Sequence, residues 1–253
     1  MFGAERGRRY APSVSVEGVV NAASFVPAPE NVIVPNGIIA IFGEDLALRT
    51  RQVTEADLIA GRLPTHLGGV RVVIAGQVAP LYFVSPKQIN AQAPTLPQGE
   101  TDLWINRESL ISNKVRVRVQ NADPGIFTAA GRPVAAHLDY SLIGRGEVPG
   151  SAPVHPGQYA ILFLTGLGST VPSVSAGQLP GFAAFLQLPA TVWLGGRTLP
   201  PASVTYAGQA PGLAGVYQIN VLLPDDTPSG DLELAVEVDG FRSQSGMLLA
   251  VEP

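Results

Sequence analysis

Residues 88–94 read QINAQAP, and residues 218–224 return the same pattern as QINVLLP. A turn follows a few residues after each copy, Gln98-Gly99 in the first and Ser229-Gly230 in the second, and each turn precedes a strand-like segment. A motif that returns together with its flanking turn is typical of a duplicated structural unit. The sequence therefore predicts two related units in one chain.

The segments upstream of the motif match in the same order, which supports the duplication. The matches pair residues 35–37 with 156–158, Gly76 with Gly195 or Gly196, and Pro80 with Pro201. The second copy is longer, with extra residues around 209–215. The strand pattern is interrupted near 120–124, which predicts an N-terminal arm over 1–17, a first domain over 18–120 and a second domain over 121–253. Because the linker is short, we expect a fixed or semi-fixed pair.

Apolar and polar residues alternate in much of the chain. Residues 70–74, 114–119 and 231–238 place valines and leucines on one face and charged side chains on the other, which predicts half-buried strands. The 28 glycines and 23 prolines supply frequent turns, which favour a sandwich or barrel over β-α-β units. Residues 54–57 (TEAD) have the form of a capping box and predict one helix of at most two turns. The predicted fold class is all-β.

The charge content excludes one class of partner. Charged residues make up 14% of the chain, against about 25% in an average soluble domain, and the formal net charge is −4. Only two residues are lysines, and the single basic cluster (Arg6, Arg8 and Arg9) lies at the N-terminus. Binding to nucleic acid needs clustered cations that displace counterions from phosphates. We therefore expect no nucleic-acid partner.

Other partners and compartments are also restricted. The chain has no cysteine, which removes disulfides, thiolate metal sites and cysteine nucleophiles together. No apolar run approaches the length of a membrane span, so no membrane insertion is expected. Residues 1–16 contain arginines but lack the apolar core of a signal peptide, so we expect no signal peptide in this chain.

Several motifs in a fixed order resemble a known family. They are residues 84–94 (VSPKQINAQAP), 123–128 (DPGIFT), 164–168 (LTGLG) and 215–221 (GVYQINV). These segments are similar to the uncharacterised C-terminal domain family that is abundant in exported acidobacterial (Solibacter-type) proteins, and residues 20–25 (VNAASF) fit the same family. The similarity extends over nearly the whole chain, from Gly18 to Val251.

The resemblance has three implications. It implies that each half is an immunoglobulin-like β-sandwich of the IPT/TIG type, so that the chain contains two such sandwiches in tandem. It implies a secreted or cell-surface location, because relatives are exported. It supplies no established activity and no catalytic motif, and no cofactor is expected from it.

The residues themselves predict no catalytic centre. The sequence contains neither a G-x-S-x-G nucleophile elbow nor an H-E-x-x-H zinc motif. The three histidines, His66, His137 and His155, are widely spaced along the chain. A pair of carboxylates on separate strands, as in glycoside hydrolases, stays open as the alternative.

One segment is a weak calcium candidate. Residues 225–231 (DDTPSGD) carry three carboxylates, Asp225, Asp226 and Asp231, and Ca²⁺ favours oxygen ligands. The spacing differs from that of an EF-hand, the composition is that of an ordinary turn, and the matching segment 95–100 lacks aspartates. No metal is predicted, and calcium is kept as the alternative.

The motif and the aromatic residues each have two interpretations. The side chains of the Gln-Ile-Asn motif share one strand face, where they either bind a ligand or hold the fold; repetition in both copies favours the fold. The aromatic residues either fill the cores or form a carbohydrate platform; they are Tyr82, Trp104, Trp193, Tyr206 and Tyr217. Because the two tryptophans occupy different positions in the repeat, we expect at least one to be exposed.

The low charge content predicts self-association. Immunoglobulin-like sandwiches have open sheet edges, and lysine, which blunts such edges, is nearly absent here. An extended segment with strict alternation, Ser13, Val14, Ser15 and Val16, precedes the first domain motif and could add to an edge as an extra strand. A head-to-tail contact of this kind leads to an oligomer or a filament. The alternative is a monomer whose neutral edges are guarded by proline.

Together these patterns predict a non-catalytic extracellular structural or interaction protein that associates with copies of itself. The alternative is a carbohydrate-binding module or a glycan-active enzyme at the cell surface, with surface glycans as its partners.

Overall fold

The computed structural model describes residues 10–27 and 31–253, which form β-strands joined by turns and two single-turn 3₁₀ helices. The all-β prediction is confirmed. The helix predicted at 54–57 is the 3₁₀ turn Glu55–Asp57, in which the Asp57 carboxylate accepts hydrogen bonds from the Thr54 N–H and hydroxyl at 2.9 and 2.8 Å. The second turn is Pro201–Ser203. None of the described helices is long and apolar enough to span a membrane.

The first half of the chain forms two sheets. Its strands are β1 (Ser13–Asn21), β2 (Val32–Ile33), β3 (Ile38–Glu44), β4 (Arg51–Gln52), β5 (Val70–Ile74), β6 (Gln77–Ala79), β7 (Leu81–Val84), β8 (Gln88–Gln92), β9 (Gly99–Arg107), β10 (Leu110–Ile111) and β11 (Val115–Val119). One sheet has the order β1-β3-β8-β7-β4 and the other β2-β11-β9-β5-β6, with β10 paired to β9. All pairings are antiparallel except that of β2 with β11.

The second half repeats this arrangement. Its strands are β12 (Gly125–Ile126), β13 (Thr128–Ala129), β14 (Arg132–Pro133), β15 (Ala135–Ala136), β16 (Tyr159–Thr165), β17 (Thr170–Val171), β18 (Ala184–Leu186), β19 (Ala190–Leu194), β20 (Arg197–Thr198), β21 (Val204–Gln209), β22 (Tyr217–Leu222), β23 (Gly230–Val238), β24 (Phe241–Arg242) and β25 (Leu248–Val251). One sheet has the order β12-β16-β22-β21-β18-β17, with β15 also on β16; the other is β20-β19-β23-β24, with β25 also on β23.

Each half has its own hydrophobic core. Buried aliphatic side chains between residues 14 and 119 form one cluster, and those between 122 and 251 form another. The predicted alternation explains how the strands contribute: in β11, the three valines are buried and Arg116 and Arg118 are exposed. Burying such side chains supplies most of the stability of each sandwich, at about 1.5–3 kcal/mol per Val, Leu or Ile.

The two halves correspond strand by strand. β3 pairs with β8 from Ile38–Gln92 to Phe42–Gln88, and β16 pairs with β22 in the same register, from Tyr159–Leu222 to Phe163–Gln218. The neighbouring strands β7 and β21 each carry a bulge opposite the asparagine of the repeated motif. The duplicated sequence thus reproduces both the pairing and its irregularity. The turn before β6 and β20 refines one match, because Pro80 corresponds to Pro200 rather than Pro201.

The boundary of the first sandwich differs from the expectation. Residues 13–17 belong to β1, where Ser13 pairs with Glu44 and Val14 with Gly43, so the first sheet begins inside the predicted 1–17 arm. The chain then bulges before it pairs again at Val19. Residues 1–9 of the arm lie outside the described residues.

A buried apolar contact joins the halves. The outer face of β1 and β3 contributes Val20, Ala22, Ile38 and Ala40, all at most 7% exposed. Phe127 and Val216 of the second half pack against this face. The loop 210–216 belongs to the extra segment of the second copy, and the Tyr82 hydroxyl donates a hydrogen bond to its Ala214 carbonyl. The insertion in the second copy therefore supplies part of the joint between the two copies.

Buried hydrogen bonds fix the geometry of this joint. The Thr165 hydroxyl, which is fully buried, accepts the Ile38 N–H and donates to the Gly215 carbonyl, each at 2.8 Å. The Asn21 side-chain amide donates to the Asp123 carbonyl at 2.6 Å. A third contact is a short ladder in which Leu63 N–H donates to the Gly177 carbonyl at 2.8 Å and Leu179 N–H donates to the Gly61 carbonyl at 2.9 Å.

We expect Thr165→Val to lower the free energy of unfolding by about 1–3 kcal/mol, because the substitution keeps the volume but leaves the buried Ile38 N–H and Gly215 carbonyl without this partner. Denaturant unfolding followed by circular dichroism measures the change. The matched control is Thr170→Val, since Thr170 is also buried but its hydroxyl bonds within its own half, to the Pro172 carbonyl. The expectation for the joint is that Thr165→Val alone also increases proteolytic cleavage in residues 120–124; equal cleavage in both variants would contradict it.

Candidate functional site

The predicted histidines do not converge. His137 Nε2 contacts the Ala152 carbonyl at 3.1 Å, His155 Nδ1 contacts the carbonyls of Glu252 and Pro253, and His66 lies in the first half. Within residues 10–27 and 31–253, no group of three or more His, Cys, Asp or Glu side chains is placed to hold a metal ion.

The calcium candidate is corrected by its partners. Asp226 forms a two-oxygen ion pair with Arg197 at 3.0 and 3.1 Å, and Asp231 binds Arg132 and Arg145 at 3.0 and 2.8 Å. Neither of these sets of ion pairs includes the third carboxylate, Asp225. The three carboxylates of residues 225–231 are therefore not brought together, because arginines that are distant in sequence pair with two of them separately.

Asp231 is the centre of an ion-pair cluster on the second half. Arg132 also binds Glu147 at 2.7 Å, and Arg145 binds Glu252 at 2.6 Å. Hydrogen bonds from Arg132 and Arg145 hold the pKa of Asp231 below its ordinary value. The cluster ties the loop that contains Arg145 and Glu147 to β23 and β25, so its role is structural.

The segment Ser13, Val14, Ser15 and Val16 lies at a covered edge. The Asn113 side chain accepts the Val14 N–H at 2.8 Å and donates to the Val14 carbonyl at 3.0 Å, as a neighbouring strand would. Asn31 donates to the Val16 carbonyl at 2.7 Å. The segment is therefore part of the first sheet, and within this molecule its backbone is bonded at Val14 and Val16.

The other sheet edges are short. β4, β17 and β20 have two residues each and β6 has three. Short edge strands offer few unpaired N–H and C=O groups to another chain. In the described part of the molecule, sheet faces are better placed than sheet edges to bind a partner.

The two tryptophans stand at opposite members of the same cross-strand pair, so they occupy different positions in the repeat but neighbouring places in the fold. Trp104 on β9 pairs with Val73 on β5, and Trp193 on β19 pairs with Ala235 on β23, so each half has one tryptophan in the same cross-strand pair. Each is half-exposed and covered by a cation, Lys114 Nζ at 5.0 Å from the Trp104 ring and Arg242 Cζ at 4.3 Å from the Trp193 ring. Because these cations cover a ring face, the tryptophans are poor platforms for a sugar.

The repeated Gln-Ile-Asn motif forms the same bond twice. Gln88 Nε2 donates to Asn90 Oδ1 at 2.8 Å, and Gln218 Nε2 donates to Asn220 Oδ1 at 2.7 Å. The isoleucine between them lies in the core of each half. The amide pair faces the outside of its sheet, opposite the bulge of the neighbouring strand.

An exposed apolar cluster surrounds a cavity in the second half. The cavity measures about 420 Å³ and is lined by His137, Leu138, Asp139, Gly157, Gln158 and Tyr159. Leu138 is 62% exposed and nearby Tyr140 is 65% exposed. We call Leu138, Tyr140 and Tyr159 the rim cluster. Sequence reasoning missed it, because its residues lie in a loop without periodicity and at the start of a strand.

A second exposed surface lies on the outer face of the β17-β18-β21 strands. Phe185 and Val171 are 50% and 61% exposed, and the rings of Phe185 and Tyr206 are 5.2 Å apart between centroids. The sequence analysis named Tyr206 as a carbohydrate candidate but missed its neighbours. A signal for this surface exists: Arg197 is the single Lys, Arg, Asp or Glu among residues 148–224.

Comparison with known proteins finds solved structures of low similarity. No protein family model matches the chain, and no curated protein matches it. Among solved structures, the chain is similar to the Bacteroides ovatus mixed-linkage glucan utilization locus protein SGBP-B in complex with a mixed-linkage heptasaccharide (11% identity, 91% of this chain and 46% of that chain, TM-score 0.35). It is also similar to domains 5–6 of the S-layer protein SbsC (10%, 95% and 98%, 0.28).

A third similar structure is the Down syndrome cell adhesion molecule, isoform 1.30.30, N-terminal eight Ig domains (12% identity, 96% of this chain and 24% of that chain, TM-score 0.23). The chain spans about a fifth to about half of the length of the first three structures it matches. The β-sandwich architecture follows from the strand pairings and the buried cores of the two halves, and no function is transferred from these likenesses.

We expect Asp231→Asn to lower stability near neutral pH by at most about 1 kcal/mol, since the ion pairs are partly exposed. Because the pKa of Asp231 is lowered in the folded protein, its contribution is present above the ordinary carboxyl pKa of 3.8 and is lost as the pH falls below that value. Denaturant unfolding at a series of pH values measures this: the difference from the wild type should shrink as the pH falls below 3.8. Asp225→Asn is the control, and an equal pH dependence in both variants would contradict the assignment.

Proposed function

We propose that this protein is a non-catalytic structural and interaction protein of the cell exterior, and that it associates with a second copy through the rim cluster. One observation carries the proposal. Two members of the rim cluster, Leu138 and Tyr159, are the counterparts of residues by which the first half binds the second, yet Leu138 is exposed and Tyr159 is half-exposed.

The register of the strands defines the correspondence. In the first half, Val20 pairs with Ala40, which lies two residues after Ile38 on the same strand. In the second half, Ala136 pairs with Ile161, which lies two residues after Tyr159. Ala22 and Ile38 are each 7% exposed, because the second half covers them. Their counterparts are Leu138, which is 62% exposed, and Tyr159, which is half-exposed.

Association buries the apolar surface that the duplication leaves open. In a two-fold dimer, Leu138 and Tyr140 of each copy enter the 420 Å³ cavity beside Tyr159 of the other. Such an isologous contact needs only one type of surface and closes on itself. Tyrosine and leucine are side chains that bury much apolar area, and tyrosine is enriched at interfaces.

Two further points support the location and the lack of catalysis. The resemblance to exported acidobacterial proteins supports a position outside the cell; detection of the native protein in cell and medium fractions tests it. Asp226 and Asp231, whose pKa values are lowered, are paired with arginines, which suits a structural role. A panel of glycoside hydrolase substrates tests the absence of turnover.

We expect the wild type to be a dimer at micromolar concentration and the double variant Leu138→Ser, Tyr140→Ser to be a monomer. Light scattering coupled to size-exclusion chromatography measures the mass. The matched control is Ile111→Ser, because Ile111 is also 62% exposed but lies on the first half, far along the chain from the rim cluster.

A wild type that stays monomeric across the concentration series would contradict the proposal, and so would a double variant that remains dimeric. Equal thermal unfolding temperatures in the wild type and the variants establish that folding is unchanged.

A further inference from the structure

We propose that the outer face of β16, β17, β18, β21 and β22 binds a neutral, extended polysaccharide. This inference concerns a surface that is distinct from the rim cluster and does not depend on self-association. It rests on the order of side chains across the sheet, on the fixed position of one aromatic ring and on the absence of charge from this part of the chain.

Strand pairing places one row of side chains across the sheet. Val171 pairs with Phe185, Phe185 with Gly208, Gly208 with Gln218, and Gln218 with Phe163. Partners in such pairs lie on the same face of the sheet. The row crosses five strands and is therefore about 19 Å long, which accommodates several linked sugar units.

Tyr206 is held along its own strand, over Gly208. The Tyr206 hydroxyl donates to the Gln209 carbonyl at 2.7 Å. A Cβ atom on Gly208 would lie 2.1 Å from the Ala184 carbonyl oxygen and 2.7 Å from that hydroxyl oxygen, so glycine accommodates both the neighbouring strand and the ring. The ring is therefore positioned before any ligand arrives, which lowers the entropic cost of binding.

Phe185 stands beside this ring as a wall. The two rings are tilted by 59° and their centroids are 5.2 Å apart. Phe185 is 50% exposed, and Tyr206 is half-exposed, so both offer surface to the C–H face of a sugar ring. The amide pair of Gln218 and Asn220 lies next to the rings, because Gly208 pairs with Gln218 and Tyr206 with Asn220. Gln218 is 7% exposed and donates to Asn220, so the half-exposed Asn220 amide is the group that offers hydrogen bonds to sugar hydroxyls.

Charge decides the kind of ligand. None of the side chains in the row, nor Tyr206 or Asn220, is charged, and Arg197 is the single Lys, Arg, Asp or Glu among residues 148–224. A face without charge complements a neutral ligand and gives no electrostatic advantage to an acidic one.

The face also continues towards the joint between the halves, where Phe127 N–H donates to the Phe163 carbonyl at 3.1 Å.

The first half lacks the same device. Phe83 is the counterpart of Tyr206, since both pair with the asparagine of the motif. The strand next to it, β4, brings Arg51 and Gln52 instead of a second aromatic ring. The proposed site is therefore confined to the second half, where the chain is almost free of charge.

Affinity electrophoresis of the full chain tests the proposal. Native gels contain hydroxyethylcellulose, galactomannan or xyloglucan as neutral probes, and carboxymethylcellulose as the charged probe with the same backbone as the first. We expect at least one neutral probe to retard the wild type and carboxymethylcellulose to retard it less. We expect Tyr206→Ala and Phe185→Ala each to weaken binding by about tenfold or more, and Tyr206→Phe, which keeps the ring, to weaken it less.

Phe241→Ala is the matched control, because Phe241 is 40% exposed on the other sheet of the same half. Its binding should equal that of the wild type. Failure of all three neutral probes to retard the wild type would overturn the proposal. Retardation of the Tyr206→Ala and Phe185→Ala variants equal to that of the wild type would also overturn it. Unchanged unfolding temperatures establish folding, and unchanged mass in solution separates this result from the test of self-association.

Discussion

The hydroxyl of Thr165 is the contact on which the arrangement of the molecule depends. It is fully buried, and it accepts a hydrogen bond from the first half and donates one within the second. An orientation of the halves that breaks the bond from Ile38 while keeping this N–H buried leaves a polar group unpaired. The apolar cluster around Val20 and Ile38 adds attraction, but it is the directional bond that selects one geometry. Both proposed binding surfaces are therefore presented at a fixed angle to the first half.

Much of the fold follows from periodicity. The strands at 70–74, 115–119 and 230–238 lie where alternation of apolar and polar residues indicates them, because a half-buried strand repeats every two residues. The duplication was visible in the Gln-Ile-Asn motif, since the same sheet position demands the same amide pair and the same apolar residue between. The turn at 54–57 was visible because capping depends on residues that are close in sequence.

The sites were less predictable, because they depend on pairs that are distant in sequence. Asn113 is 99 residues from Val14 in sequence and accepts a hydrogen bond from the Val14 N–H. No residue near Val14 in the sequence indicates this contact. Arg132 and Arg145 are also distant in sequence from Asp231, which they bind. Carboxylates that are neighbours in the sequence therefore belong to separate ion pairs in the structure. That Trp104 and Trp193 belong to the same cross-strand pair also requires knowledge of register, since the two residues stand on different strands of the repeat.

The short link between β11 and β12 has a mechanical consequence. Val119 ends one sandwich and Gly125 begins the other, and Asn21 binds the backbone of the linker at Asp123. The linker between the sandwiches has little length to extend when the chain is pulled from its two ends. Tension passes directly into the Thr165 bonds and the ladder between residues 61–63 and 177–179, which must separate before the halves can swing apart. Under load we expect the two halves to move as one rigid unit rather than as two independently oriented domains.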